Sequence, residues 1–353
     1  MRVLFSGGGT LGSVTPLLAV SEALHEMNHG TEFLWIGTDA GPERESVERH
    51  SIEFRAVTSG RLRRFFTLNN LLTPFLVLKG MFEVLSILRE WRPDVVVSAG
   101  GFVAVPVVWV AWMLRIPVHI HQMDWRPGLA NKLAAPFARS VSVVFKKSKS
   151  DFPRKKVTVT GNPVRKEILF GHTEVARDKF RLDIGTPIVL VLGGGTGAMN
   201  LNRLVAEAAS EICRKAQLMH LTGEGKHIEL PAVLGQYRQY GYLGADMGHA
   251  FAVADLVITR AGMGTLTELA ALGKPSIVVP IPDSHQEENA RYFADKGAAM
   301  YFKESRGGAD LAEEVRRLLG DSDKIMKMAS AMGSINNVGA AKEVARIISG
   351  YMK

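Results

Sequence analysis

The sequence predicts an α/β protein of two Rossmann-like domains whose parallel sheets face a central cleft. Three observations carry this. Short apolar runs alternate with amphipathic stretches along all 353 residues, the pattern of βαβ units. The same start occurs twice, about half a chain apart: residues 3–6 run into Gly7-Gly8-Gly9-Thr10-Leu11-Gly12, and residues 188–192 run into Gly193-Gly194-Gly195-Thr196-Gly197-Ala198. Each is a strand, a glycine loop and a helix start, which together bring backbone N–H groups close to a phosphate. Between the halves, Gly161-Asn162-Pro163 supplies turn residues for a domain boundary.

Strands are predicted at 3–6, 33–36, 95–98, 118–121, 141–144 and 157–160. A second set follows at 188–192, 216–221, 256–259 and 276–280. Leu17, Val20, Leu24 and Met27 mark one face of the first helix. Residues 95–114 carry no charge and have the length of a membrane span. However, Gly100-Gly101 and Pro106 interrupt the run after a β-branched Val95-Val96-Val97. We read it as a buried parallel strand, a glycine turn and a buried helix.

Hydrophobic residues make up 46% of the chain and net charge is only +8, which excludes a disordered chain. Cys213 is the single cysteine, so a disulfide framework is excluded and a reducing setting is expected. No charged segment followed by an apolar one opens the chain, which fits a cytoplasmic protein. Residues 1–160 hold 20 Lys+Arg against 13 Asp+Glu, whereas the remainder holds 23 against 22. A basic half suits nucleic acid, anionic lipid or a phosphorylated substrate. Aromatic RNP, zinc-finger and helix-turn-helix signatures are all lacking, so nucleic acid is not expected.

The glycine loops narrow the chemistry. Gly7, Gly9 and Gly12 satisfy dinucleotide spacing, but the second strand runs Phe33-Leu34-Trp35-Ile36-Gly37-Thr38 with no ribose-binding acid. Neither loop continues as Gly-Lys-Ser/Thr, so neither is a P-loop. A third loop runs Arg260-Ala261-Gly262-Met263-Gly264-Thr265-Leu266-Thr267-Glu268, with Glu268 expected in the first turn of a helix. Two readings stand: Glu268 complements the helix dipole, or the loop N–H groups bind a diphosphate while Glu268 takes ribose hydroxyls. Asp321-Ser322-Asp323 reads as a helix end followed by a helix cap, not as a metal site. Arg61, Arg63 and Arg64 stand beside Phe65, Phe66, Leu72 and Phe75. That combination suits a surface that enters the acyl boundary while arginines meet anionic headgroups.

Together these residues carry a resemblance. The two glycine loops, Gly100-Gly101-Phe102 with Pro106, Pro127-Gly128-Leu129-Ala130-Asn131 and Thr160-Gly161-Asn162-Pro163-Val164-Arg165 resemble the MurG family of glycosyltransferases, family 28. So do His220 to Gly223, Arg260 to Gly262 with Glu268, and His285-Gln286 with Asn289-Ala290. The matches keep family order over nearly the whole chain. The resemblance implies a GT-B fold and inverting transfer of GlcNAc from UDP-GlcNAc to lipid I, giving lipid II for peptidoglycan synthesis. It implies an N-terminal domain of residues 1–161 plus a final helix at about 340–353, binding acceptor and membrane. A C-terminal domain of residues 162–339 would bind the UDP-sugar. Arg165 and the loop with Gly194, Gly195, Thr196 and Gly197 would approach the diphosphate, and Gly244 the uracil. Met263, Gly264, Thr265, Leu266 and Thr267 would present N–H groups to phosphate. Glu268 would hold the ribose; His285 and Gln286 would contact the sugar. Thr10, Leu11 and Gly12 would border the sugar–acceptor junction, with Asn131 among the substrate-binding positions. Fixed N–H dipoles can stabilise the departing diphosphate without a metal, so neither metal nor cofactor is expected. The expected location is the cytoplasmic face of the cell membrane, held by anionic lipids.

The pattern also departs from the family. The first loop usually ends in a histidine, a candidate catalytic base; here Ser13 stands there. A serine hydroxyl needs a neighbouring base to accept a proton near neutral pH. The family's His-Glu-Gln-Asn run becomes His121-Gln122-Met123-Asp124. Asp124 is therefore the first candidate for base or acceptor-orienting group and His121 the second. A different lipid acceptor, or a silent nucleotide-sugar- or lipid-binding homologue, stays open on these changes.

Overall fold

A computed structural model describes residues 1–60, 69–194, 198–230, 235–335 and 337–352, with side chains outside 69–74 and 352. The predicted membrane residues Arg61, Arg63, Arg64, Phe65 and Phe66 therefore lie outside the described residues, as do Gly195, Thr196 and Gly197; of Leu72 only the backbone is described. The chain divides into two compact units, Met1–Arg165 with Asn337–Lys353, and Lys166–Asn336.

Unit 1 holds seven strands: β1 (Arg2–Ser6), β2 (Glu32–Gly37), β3 (Glu53–Ala56), β4 (Val95–Ser98), β5 (Val118–Gln122), β6 (Ser140–Val143) and β7 (Val157–Val159). All pair in parallel, in the order β3-β2-β1-β4-β5-β6-β7. Its helices are α1 (Thr15–Met27), α2 (Glu43–Glu48), α3 (Asn69–Trp91), α4 (Ala104–Met113) and α5 (Leu129–Ala134). Unit 2 repeats the plan with α6 (Lys166–Leu169), α7 (Thr173–Lys179), α8 (Met199–Ile212), α9 (Met247–Val253), α10 (Met263–Leu272), α11 (Gln286–Asp295), α12 (Gly307–Leu319) and α13 (Ser322–Ile335). Its strands are β8 (Ile188–Leu192), β9 (Gln217–Leu221), β10 (Tyr237–Tyr240), β11 (Leu256–Thr259), β12 (Ser276–Val278) and β13 (Ala299–Tyr301), again all parallel, in the order β10-β9-β8-β11-β12-β13. Both orders reverse direction beside the first strand, which leaves a crevice outside the carboxyl ends of the strands at that point.

Side-chain alternation along the strands builds a core on each face of the first sheet. Leu4, Val96, Ile120 and Val141 join one cluster with α3 and α4 residues such as Val84 and Val107. Val3, Phe5, Trp35 and Val97 join the other, with Leu17, Val20 and Leu24 from α1. Met27, at the end of the predicted face, is exposed. The apolar segment from Val95 is β4, a glycine turn and α4, as its interruptions predict. Among the described residues no helix is long and apolar enough to cross a membrane.

The last helix, α14 (Ala340–Ser349), packs on α1 and places Val344, Ala345 and Ile348 wholly inside the second cluster. At the crossing, Asn337 donates to the Thr160 carbonyl at 2.8 Å. Asp321 accepts the Lys324 N–H at 2.9 Å, so it caps α13. Because Ile348 is fully buried, Ile348→Ala should cost about 2–5 kcal/mol of unit 1 stability. Urea unfolding followed by tryptophan fluorescence reads this directly; a loss below about 0.5 kcal/mol contradicts the packing role.

Candidate functional site

In each unit the candidate residues sit at the carboxyl ends of the strands, where parallel α/β sheets bind ligands. In unit 1 the first glycine loop follows β1. Its two neighbours fix it tightly: Trp35 donates its indole N–H to the Gly7 carbonyl at 2.9 Å. A Cβ on Gly101 would lie 2.6 Å from the Gly8 carbonyl oxygen, and one on Gly9 would lie 2.6 Å from Phe102. Gly9, Gly100 and Gly101 all have positive φ, at 81°, 97° and 88°, which only glycine adopts without strain. Thr10 and Gly12 are exposed, and Leu11 is half-buried. Ser13 closes a short 3-10 turn, is 6% exposed and donates to the Thr10 carbonyl at 3.3 Å.

The end of β5 carries the other candidates. His119 and His121 lie on one face of the strand, opposite Ser140 and Ser142 of β6. The His121 ring is 1% exposed, with Nε2 2.8 Å from Asn162 Oδ1 and Nδ1 2.7 Å from the Ser142 hydroxyl. His119 meets Ser142 at 2.9 Å and Ser140 at 2.6 Å, and Ser140 meets the Tyr351 hydroxyl. An amide oxygen only accepts, so His121 Nε2 carries the proton and Nδ1 accepts from Ser142. Ser142 then accepts from His119 Nε2, His119 Nδ1 accepts from Ser140, and Ser140 accepts from Tyr351. One proton per link satisfies the whole chain with both rings neutral. Burial drives the same result, holding His119 down at about 3, helped by His121, and His121 at about 4. Both His121 nitrogens are thus hydrogen-bonded inside the fold.

Asp124 stands half-buried just beyond β5. Its loop is shaped by Gln122, which donates to the carbonyls of Asp124 at 2.9 Å and Arg126 at 3.2 Å and accepts from Asn131 Nδ2 at 2.7 Å. Asn131 also donates to the His121 carbonyl at 3.3 Å. A Cβ on Gly100 would meet Asn131 Oδ1 at 3.1 Å, so this amide ties the β5 loop to the second glycine turn. The glutamine that replaces the family's glutamate is thus a loop brace. Arg165 is half-buried at the end of unit 1.

In unit 2, Gly194 follows β8 with φ 85° and open space around it, and Gly244 starts a 3-10 turn at φ 54°. Gly262 caps α10, so Met263, Gly264 and Thr265 form its first turn. Met263, Leu266 and Thr267 are buried, and Thr267 donates back to the Met263 carbonyl at 2.6 Å. Glu268 is the sixth helical residue, in the second turn and not the first. The dipole effect fades within the first turn, so that reading of Glu268 falls. His285 is exposed and caps α11; the Gln286 side-chain oxygen accepts the Ile281 N–H at 3.2 Å.

Two residues absent from the predicted site hold this rim together. Arg260 donates to the Val279 carbonyl at 3.0 Å and pairs with Glu304 at 2.5 Å, both largely buried. Asn289 donates to the Ala261 carbonyl at 3.1 Å. His220 resembles His121: Nε2 faces Asn202 Oδ1 at 3.2 Å, Nδ1 faces the Tyr237 hydroxyl at 2.8 Å, and burial holds it at about 4.

The glycosyltransferase family 28 N-terminal domain matches residues 3–143 and the family 28 C-terminal domain matches residues 188–348. The chain belongs to glycosyltransferase family 28. A family 28 relative from Bacillus cereus, "UDP-N-acetylglucosamine--N-acetylmuramyl-(pentapeptide) pyrophosphoryl-undecaprenol N-acetylglucosamine transferase 2", is 35% identical over 99% of both chains. A Legionella pneumophila protein of the same name, without the numeral, is 36% identical over 98% of this chain and 97% of its own. The crystal structure of Acinetobacter baumannii MurG has the same fold, at TM-score 0.72 and 24% identity over 99% of each chain. A Neisseria meningitidis UDP-GlcNAc 2-epimerase bound to UDP-GlcNAc shares the fold at TM-score 0.69 and 14% identity, over 99% of this chain and 100% of its own. The fold is thus GT-B, with two parallel-sheet units, as the family predicts.

The neutral histidine chain has a pH signature. Unfolded histidines titrate near 6.5, whereas His119 and His121 stay neutral in the fold down to about 3 and about 4. Below pH 6.5 the unfolded state binds protons that the native state refuses, so stability falls as pH is lowered. Each histidine should contribute a loss approaching about 1.4 kcal/mol per pH unit below 6.5. Urea midpoints of wild type between pH 7.5 and 5 should decline, and those of His121→Gln should decline less steeply. Equal slopes in the two proteins contradict the assignment.

Proposed function

We propose that this chain transfers GlcNAc, with inversion, from UDP-GlcNAc to the muramyl sugar of lipid I, giving lipid II and UDP. The observation that carries the reading is end-to-end similarity to relatives named for this transfer, at 35–36% identity. The acceptor hydroxyl oxygen attacks C1 of GlcNAc while the bond from C1 to the β-phosphate oxygen breaks. The hydroxyl proton must pass to a base as UDP leaves. The donor is taken by the start of α10 from Met263 to Thr267 and by Gly194 with the loop after it, with Arg165 as a further diphosphate contact. Gly244 serves the uracil, Glu268 the ribose, and His285 and Gln286 the sugar. Unit 1 takes the acceptor at Thr10, Leu11, Gly12 and Asn131.

Of the three base candidates, Ser13 donates to its own loop and His121 is committed at both nitrogens. We take Asp124, the acid that stands just after β5, as the acceptor of the proton. The test is UDP release from UDP-GlcNAc with and without a soluble lipid I analogue, in EDTA. Acceptor-dependent release is expected, and Asp124→Asn should lower kcat by about 100-fold or more with unchanged UDP affinity. Donor binding with no release on any lipid-linked acceptor overturns the transferase reading. Near-normal turnover of Asp124→Asn removes Asp124 from the chemistry.

In this reading the acceptor is lipid-linked and met at the cytoplasmic face of the membrane, and unit 1 carries an exposed apolar face that suits it. Phe75 and Phe82, at helical spacing on α3, are 70% and 71% exposed, and Leu78 between them is exposed too. The packed neighbour α4 adds exposed Trp112 and Met113, and α5 adds Leu129 and Leu133. Lys79 and Lys132 lie among them. Apolar side chains at this density suit the acyl boundary, with the lysines and the upstream Arg61, Arg63 and Arg64 meeting anionic headgroups. Phe75→Ser, Phe82→Ser and Trp112→Ser should each weaken binding to anionic vesicles by about ten-fold or more. Unchanged vesicle binding in the triple variant contradicts this face.

A further inference from the structure

Glu43 belongs to none of the sites above, yet it is the most heavily enclosed carboxyl group of unit 1. It is the first residue of α2, fully buried, and among the described residues no cation pairs with it. Three donors answer it instead. Oε2 accepts the Gly9 N–H at 3.2 Å; Oε1 accepts the Thr38 N–H at 2.7 Å and also the Thr38 hydroxyl. The backbone makes room for it with glycine. A Cβ on Gly8 would lie 2.3 Å from Oε1, one on Gly41 would lie 2.0 Å from Oε2, and one on Gly37 would lie 3.1 Å from Cγ. Both oxygens act as acceptors only, which suits a carboxylate and no neutral isostere.

We propose that Glu43 is a positioning residue for transfer, which fixes the first glycine loop and makes it face a sugar instead of a phosphate. The inference rests on the glycosyl-transfer reading above. The Gly9 N–H is spent on a side chain of the same chain, so the loop does not offer that dipole to an anion. A buried carboxylate directly behind the loop also disfavours a diphosphate there. Glu43 touches the loop and not the reacting atoms; it acts by holding Gly9, and through Gly9 the turn from Thr10 to Ser13.

Glu43→Gln separates the possibilities, because its amide nitrogen must face at least one of the same N–H or O–H donors. Amide hydrogen exchange of peptides covering 7–13 should rise at least about ten-fold. With wild type active, kcat should fall by about 100-fold, with UDP affinity within two-fold and acceptor KM unchanged or raised. If the loop instead cradles the acceptor diphosphate, removing the negative charge should lower acceptor KM, and that result overturns the proposal. So does unchanged exchange with unchanged kcat. Should Glu43→Gln fail to fold, Gly41→Ala displaces the same carboxylate while keeping its charge, and Thr38→Val removes one donor; both should show the same rise in exchange. If wild type releases no acceptor-dependent UDP, the transferase reading fails, while exchange still reports whether Glu43 holds the loop.

Discussion

Unit 1 depends on one close approach: the backbone of the first glycine loop against that of the second, across the gap where β1 meets β4. The Gly8 carbonyl leaves no space for a side chain at Gly101, and the positive φ of Gly9, Gly100 and Gly101 lets the two turns nest. From that contact the rest is determined outward. Trp35 holds one side of the first loop, Glu43 the other, and Asn131 ties the second turn to the β5 loop that bears Asp124. A Cβ at Gly9 would press on Phe102, one at Gly100 on Asn131 and one at Gly101 on the Gly8 backbone.

The sheet edges mark where the sequence was legible. Strands buried on both faces, such as Val95–Ser98 and Ile188–Leu192, read as continuous apolar runs and were predicted to the residue. The strands missed were Glu53–Ala56, Tyr237–Tyr240 and Ala299–Tyr301, and each lies at the edge of its sheet. Half-buried and mixed in character, as in Tyr237-Arg238-Gln239-Tyr240, they show neither a run nor a clean alternation. Edge position is a tertiary fact, and a local window does not contain it.

For the candidate site, the loops were legible because glycines at strand ends have a backbone cause. The bracing residues were not. Glu43 looks like one acid among the four charged residues of a short helix; only the fold shows its carboxyl group turned inward to Gly9. His121 has the opposite history. A histidine at a strand end reads as chemistry, but alternation puts it on the face that pairs with Ser142, and burial then removes its charge. In both cases the direction of the side chain, not its type, sets the role.

The return of α14 to unit 1 has a consequence for how the protein is made. A ribosome delivers the seven strands of the first sheet, then all of unit 2, and only afterwards the helix whose Val344, Ala345 and Ile348 complete the first core. Until then α1 exposes the apolar stripe that α14 will cover, and the Ser140 hydroxyl waits for Tyr351. Synthesis proceeds at about 5–20 residues per second, so this incomplete state persists for seconds on every nascent chain. Unit 2, continuous in sequence, carries no such delay. The discontinuous unit is the one that finishes last.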